Sequence, residues 1–124
     1  MQMNHYSSQS DKVLVVDDEM DVCFLLKSIL SAAGKEVEVC NTLAQCEKKI
    51  RTFQPKYLIL DVNLPDGNGL DRMEQLKSVD PSLNIIVHSA INTPQNIQIA
   101  EQKGAQAFIS KPLNRHELLE CLDQ

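Results

Sequence analysis

The sequence has no surplus of positive charge, no long apolar run, no paired cysteine spacing and no glycine-rich phosphate loop, and each absence removes a class of function. Lysine and arginine total 12 against 17 aspartates and glutamates, a formal net charge of −5. A chain of that sign is not drawn to nucleic-acid phosphates or anionic membranes, so direct nucleic-acid contact by this segment is not expected. No stretch approaches the ~20 apolar residues that span a bilayer. Residues 1–10 are polar where a secretory signal carries its apolar core. They read as a flexible lead-in, and residues 11–124 as one cytoplasmic domain. The four cysteines, Cys23, Cys40, Cys46 and Cys121, make no CxxC pair. Each lies in an apolar-periodic stretch, the setting of a buried reduced thiol, and a zinc site is not expected. No repeat or low-complexity tract divides the chain.

What is present suits a single globular domain: 124 residues, 43% hydrophobic and 23% charged. Short apolar runs alternate with longer amphipathic stretches. The runs are Val13 to Val16, Val37 to Cys40, Tyr57 to Leu60, Ile85 to Val87 and Ala107 to Ile109. Several are apolar throughout, as strands covered on both faces must be. Glu36-Val37-Glu38-Val39 alternates instead, which suits a half-exposed edge strand. Between the runs lie five helical patterns. The first runs from Met20 to Ala33 and stops at Gly34. The second opens on Thr42-Leu43-Ala44-Gln45, a capping-box spelling. The third aligns Leu70, Met73 and Leu76. The fourth has Thr93 as cap and Pro94 at its first position, and the fifth starts at Asn114. Five βα units in succession predict a parallel sheet with helices on both faces, a doubly wound α/β fold.

In such folds functional groups gather at the carboxyl ends of the strands. There the sequence places Asp17-Asp18-Glu19, Asp61, His88-Ser89 and Ser110-Lys111-Pro112. Carboxylates crowded on one rim repel one another unless a cation joins them or some are protonated. A hard divalent ion in an oxygen cage, Mg²⁺, is the natural relief. A metal, an ammonium and a hydroxyl beside one carboxylate can neutralise the oxygens of a transferring phosphoryl group, with the carboxylate as nucleophile. Acidic residues after the first strand, where related folds hold cofactor phosphates on a glycine-rich turn, disfavour a bound nucleotide.

The order of four segments, VLVVDDE, LILDVNLPDGNGL, IIVHSA and FISKPL, resembles the receiver domain of two-component response regulators over about residues 11–124. The resemblance implies a flavodoxin-like (βα)5 fold with strand order 2-1-3-4-5. It implies that Asp61 is the phosphoacceptor, charged by a sensor histidine kinase or a histidine phosphotransfer protein. Asp18 would bind Mg²⁺ directly, Asp17 largely through water, and the backbone carbonyl of Asn63 would be a further ligand. Ser89 and Lys111 would each hold a phosphoryl oxygen, with the Lys111–Pro112 bond cis as in many relatives. Ser89 and Phe108 would form the switch, altering the face made by the fourth helix, fifth strand and fifth helix. That face would meet a partner, a second copy or a C-terminal output domain. The family's members act as switches that support their own phosphorylation and autodephosphorylation.

Taken singly, these residues have blander roles. Asp18 could cap the first helix, Ser89 could serve a turn, Lys111 could be a solvated lysine and Phe108 plain core. His88 reads as structural, and Gly67-Asn68-Gly69 as backbone shape. A haloacid-dehalogenase-like phosphatase would use similar groups, but in the reverse chain order and with an acid where Asn63 stands. A pseudo-receiver would keep the fold without phosphorylation.

Overall fold

The computed structural model describes residues 12–122, so the lead-in read from residues 1–10 lies outside them. The apolar runs form β1 (Lys12–Val16), β2 (Glu36–Cys40), β3 (Tyr57–Leu60), β4 (Asn84–Ser89) and β5 (Ala107–Ser110). Between and after them lie α1 (Met20–Ala32), α2 (Leu43–Phe53), α3 (Gly69–Val79), α4 (Pro94–Gln102) and α5 (Arg115–Leu122). The five strands pair in parallel in the order β2-β1-β3-β4-β5, the doubly wound sheet expected. A two-residue antiparallel ladder, Asn63–Leu64 with Gly67–Asn68, closes the turn between β3 and α3.

Alternation along the strands divides the core in two. Leu14, Val16, Leu58, Leu60, Ile85 and Val87 pack with α2, α3 and Ala100 of α4. Val13, Val15, Tyr57, Ile59 and Ile86 pack with α1 and α5. β1 and β3 are apolar on both sides because both sides are covered. β2 pairs only with β1, and its outer position explains its acidic alternation.

The helix starts follow the cap residues. Thr42 Oγ1 accepts from Gln45 N at 3.1 Å, Thr93 Oγ1 from Asn96 N at 3.2 Å, and Asn114 Oδ1 from Glu117 N at 2.9 Å. The Gln45 side chain accepts from Asn41 N rather than from Thr42 N, so the capping box is stretched by one residue. The first helix begins at Met20, as expected, but without a side-chain cap. Its N-cap is Glu19, which makes no side-chain cap, and Asp18 does not cap it either. Asp17 Oδ1 instead accepts from Glu19 N at 2.9 Å.

The segment after Asp61 is tied down at several points. Asn68 Oδ1 accepts from Leu70 N at 2.8 Å and caps α3. The Asp66 carboxylate accepts from Leu43 N and Ala44 N at 2.8 and 3.1 Å, the open N-terminus of α2. Those backbone N–H groups hold Asp66 below the usual carboxylate range. Gly67 has φ of +153°, a true glycine conformation. Gly69 has a different reason: a Cβ there would collide with the backbone carbonyl of Asp61. α3 therefore begins against the very residue that the sequence singles out.

Candidate functional site

The parallel ladder continues one step beyond the strands and sets the rim. Asp61 N donates to Val16 O at 3.0 Å, Asp17 N to Cys40 O at 3.2 Å and Lys111 N to Ser89 O at 2.9 Å. The side chains leaving β1, β3, β4 and β5 thus arrive at one level. Lys111 Nζ lies 3.0 Å from Asp17 Oδ2, 2.8 Å from Glu19 Oε1 and 3.4 Å from Asp61 Oδ2. Asp17 and Asp61 are buried, at 1% and 5% exposure, so their charges are poorly solvated.

One ammonium does not neutralise this cluster. Burial, reinforced by the charge of Asp17, pushes the Asp61 carboxyl up from 3.8 to about 6, against the opposing pull of Lys111 and the Asn63 N–H. The Lys111 ammonium is held above its usual range, because its bonds to Glu19 and Asp17 and the charge of Asp61 outweigh its burial. Glu19 is lowered by the same lysine. Carboxylate oxygens of Asp17, Glu19 and Asp61 all lie within 4.8 Å of one another. An all-oxygen set with excess negative charge fits a hard cation, and the rim could hold a metal ion.

Of the residues expected at the site, Asp17, Asp61 and Lys111 come together directly. Asp18 is exposed and stands outside the carboxylate trio, since its buried neighbour Asp17 takes the inward position. Ser89 is fully buried at the end of β4, and its Oγ accepts from Ile91 N at 3.0 Å. Asn63 is exposed, with its N–H 3.4 Å from Asp61 Oδ1. The Lys111–Pro112 bond is cis. Phe108 is half-buried, packs on the α2–α3 side of the sheet, and lines a cavity of about 80 Å³ with Ile97 and Ala100.

Two features were not anticipated. Glu19 is the nearest anion to Lys111, a pairing made by an exposed side chain two residues past Asp17. His88 is buried, and neither ring nitrogen finds a hydrogen-bond partner among the described residues. Burial, with the charge of Lys111 as a second cause, pulls its pKa from 6.5 down to about 4, so the ring is neutral at pH 7. Cys23, Cys40 and Cys46 are buried free thiols, as expected, whereas Cys121 is partly exposed. No helix among the described residues is long and apolar enough to cross a membrane.

Residues 13–123 match the family model of the response regulator receiver domain. The chain is 33% identical over 115 residues to the chemotaxis protein CheY of Thermotoga maritima, covering 91% of this chain and 95% of that protein. It is 32% identical over 112 residues to the DNA-binding transcriptional regulator NtrC of Azospirillum brasilense, covering 90% of this chain but only 23% of that one. The beryllofluoride-activated NtrC4 receiver domain dimer superposes with a TM-score of 0.86 at 32% identity, covering 91% of this chain and 93% of that one. With its strand order, its rim of carboxylates and its paired lysine, the chain belongs to the response regulator receiver domains of two-component signalling, a family of phosphoacceptor switches.

Proposed function

We propose that this receiver takes a phosphoryl group from a phosphohistidine donor onto Asp61 and that the new charge changes its α4-β5-α5 face. The observation that carries the reading is the Lys111 ammonium bridging Asp17, Glu19 and Asp61 at the strand ends. An Asp61 carboxylate oxygen attacks phosphorus, the P–N bond breaks, and the donor imidazole leaves with the electron pair. Lys111 is placed to pair with a phosphoryl oxygen, which requires it to relax its hold on Glu19. Ser89 would donate its hydroxyl to another. Asp17, Asp18, Asp61 and the Asn63 carbonyl would hold Mg²⁺, which when bound supplies positive charge to carboxylates and phosphoryl oxygens alike. Glu19 joins that acidic rim.

Once Ser89 turns to the phosphoryl group, Phe108 has the small cavity by Ile97 and Ala100 as room to reorient. The exposed Ile97 and Ile99 of α4 belong to the face that would meet a partner, a second copy or an output domain. The kinase or phosphotransfer partner would approach at the rim.

Incubation with acetyl phosphate or phosphoramidate should add one phosphoryl group in Mg²⁺, seen as a mass increase or a retarded band in a phosphate-affinity gel. Chelation of the metal or Asp61→Asn should abolish it. Labelling that survives either change would place the acceptor elsewhere, and no labelling under any condition would make the domain a pseudo-receiver. Lys111→Ala should keep Mg²⁺ binding within a few-fold by calorimetry while weakening the phosphorylation-driven spectral response. Loss of Mg²⁺ affinity in that variant would contradict the assigned role.

A further inference from the structure

The hydrogen-bonding capacity of the Lys111 ammonium is already spent. A lysine offers three N–H donors and no acceptor. Lys111 Nζ meets Asp17 Oδ2 at 3.0 Å, Glu19 Oε1 at 2.8 Å and Asp61 Oδ2 at 3.4 Å, one carboxylate for each donor. A phosphoryl oxygen on Asp61 can therefore pair with Lys111 only by displacing one of them.

The three differ in what their release costs. Asp17 is 1% exposed, and taking away its cation leaves a buried charge without water or partner. Asp61 carries the incoming group itself. The Glu19 side chain is 60% exposed and returns to water at little cost. Nor does Glu19 serve its own helix. It is the N-cap of α1, yet its side chain accepts none of the open N–H groups there and reaches Lys111 instead. That bond holds the exposed Glu19 carboxyl below its usual range.

We propose that Glu19 is an internal competitor for Lys111, its carboxylate occupying the place on the ammonium that a phosphoryl oxygen takes. The inference rests on Asp61 as the acceptor and gives that site a restraint of its own. Lys111 stays among carboxylates until Asp61 presents a phosphoryl group, whose greater negative charge wins the ammonium. Glu19 then turns to solvent and retakes Lys111 when the phosphoryl group leaves. It never touches phosphorus, so it is a positioning residue that acts through Lys111. Reach and charge are separable in it. Aspartate at this position keeps the charge but is one methylene shorter, and from a backbone fixed at the start of α1 it falls short of Lys111.

The test measures the affinity of the full chain for beryllofluoride, a phosphoryl mimic, in Mg²⁺ by ¹⁹F NMR, beside the rate of labelling by phosphoramidate. Glu19→Asp should bind the mimic about fivefold more tightly than the wild type, the worth of one partly exposed ion pair, and should label faster by a similar factor. Glu19→Gln should gain at least as much, since it also removes a negative charge from the rim. Added to Lys111→Ala, Glu19→Asp should change nothing, because its effect passes through the ammonium. Mg²⁺ affinity by calorimetry should be retained in both Glu19 variants. No tighter binding in either variant, an equal gain from Glu19→Asp with Lys111 absent, or a loss of Mg²⁺ affinity in both, which would make Glu19 a metal ligand, would overturn the proposal. A wild type that takes neither the mimic nor a phosphoryl group would instead overturn the reading of Asp61, and this inference with it.

Discussion

With the metal removed, Asp61→Asn should make the protein more stable than the wild type by about 3 kcal/mol at pH 7.5. The figure follows from the displacement of the Asp61 carboxyl from 3.8 to about 6, at roughly 1.4 kcal/mol for each tenfold change in proton affinity. Burial and the nearby Asp17 charge disfavour the ionised carboxylate more than Lys111 favours it. The amide has no charge to desolvate, and its oxygen can still accept from Asn63 N. The sign follows from proton linkage. A carboxyl raised in the folded state contributes stability that is fully present below pH 3.8 and is lost as the pH rises through 6. The advantage of the amide should therefore be largest above pH 7 and should vanish towards pH 4. Urea denaturation in a chelating buffer at the two pH values measures it. A variant no more stable than the wild type at pH 7.5 would show that Lys111 alone balances the rim. Mg²⁺ should raise the wild-type midpoint through binding to the folded state and leave that of Asp61→Asn nearly unchanged.

Runs such as Tyr57 to Leu60, apolar without interruption, could only be strands covered on both sides, and their order with five amphipathic stretches left little choice of fold. Thr42, Thr93 and Asn114 cap through bonds to residues three positions on, and local bonds of that kind are visible in a linear string. Asp17, Asp61 and Lys111 were legible because the carboxyl ends of parallel strands share one edge. Glu19 stands at the same edge, but it lies two residues past Asp17 on an exposed turn, and no strand register specifies which cation its side chain reaches. Asp18 was given the cap of α1 as its alternative role. The helix starts at Met20, and its N-cap is Glu19, whose carboxylate reaches Lys111 instead of a backbone N–H. The Gly67-Asn68-Gly69 spelling suggests backbone freedom, whereas the reason for Gly69 is the closeness of Asp61 across the turn, a fact of packing. Asp66 lay unremarked in the same loop because the N–H groups it binds open a helix 22 and 23 residues earlier.

His88 is the residue for which sequence alone supplied no account, and it carries the second large effect. Its two ring nitrogens are buried without partners among the described residues. An unsatisfied buried polar group costs about 1–3 kcal/mol, so His88→Leu should stabilise the protein by about 2 kcal/mol at pH 7.5. Protonation adds to this at low pH. With its pKa at about 4 folded against 6.5 ordinarily, the histidine contributes stability that is present above pH 6.5 and lost as the pH falls through 4. The gain from leucine should therefore grow by about 3 kcal/mol on going to pH 4. Asp61 and His88 thus titrate across the same interval with opposite signs and similar size, and in the wild type they offset each other. Removing one exposes the other: relative to wild type, Asp61→Asn should gain stability with rising pH and His88→Leu with falling pH. The double variant should differ from the wild type by a nearly constant amount between pH 4 and 7.5. Urea midpoints of the four proteins in chelator decide it, and the same sign of pH dependence in both single variants would show that these two groups do not set the acid limb of stability.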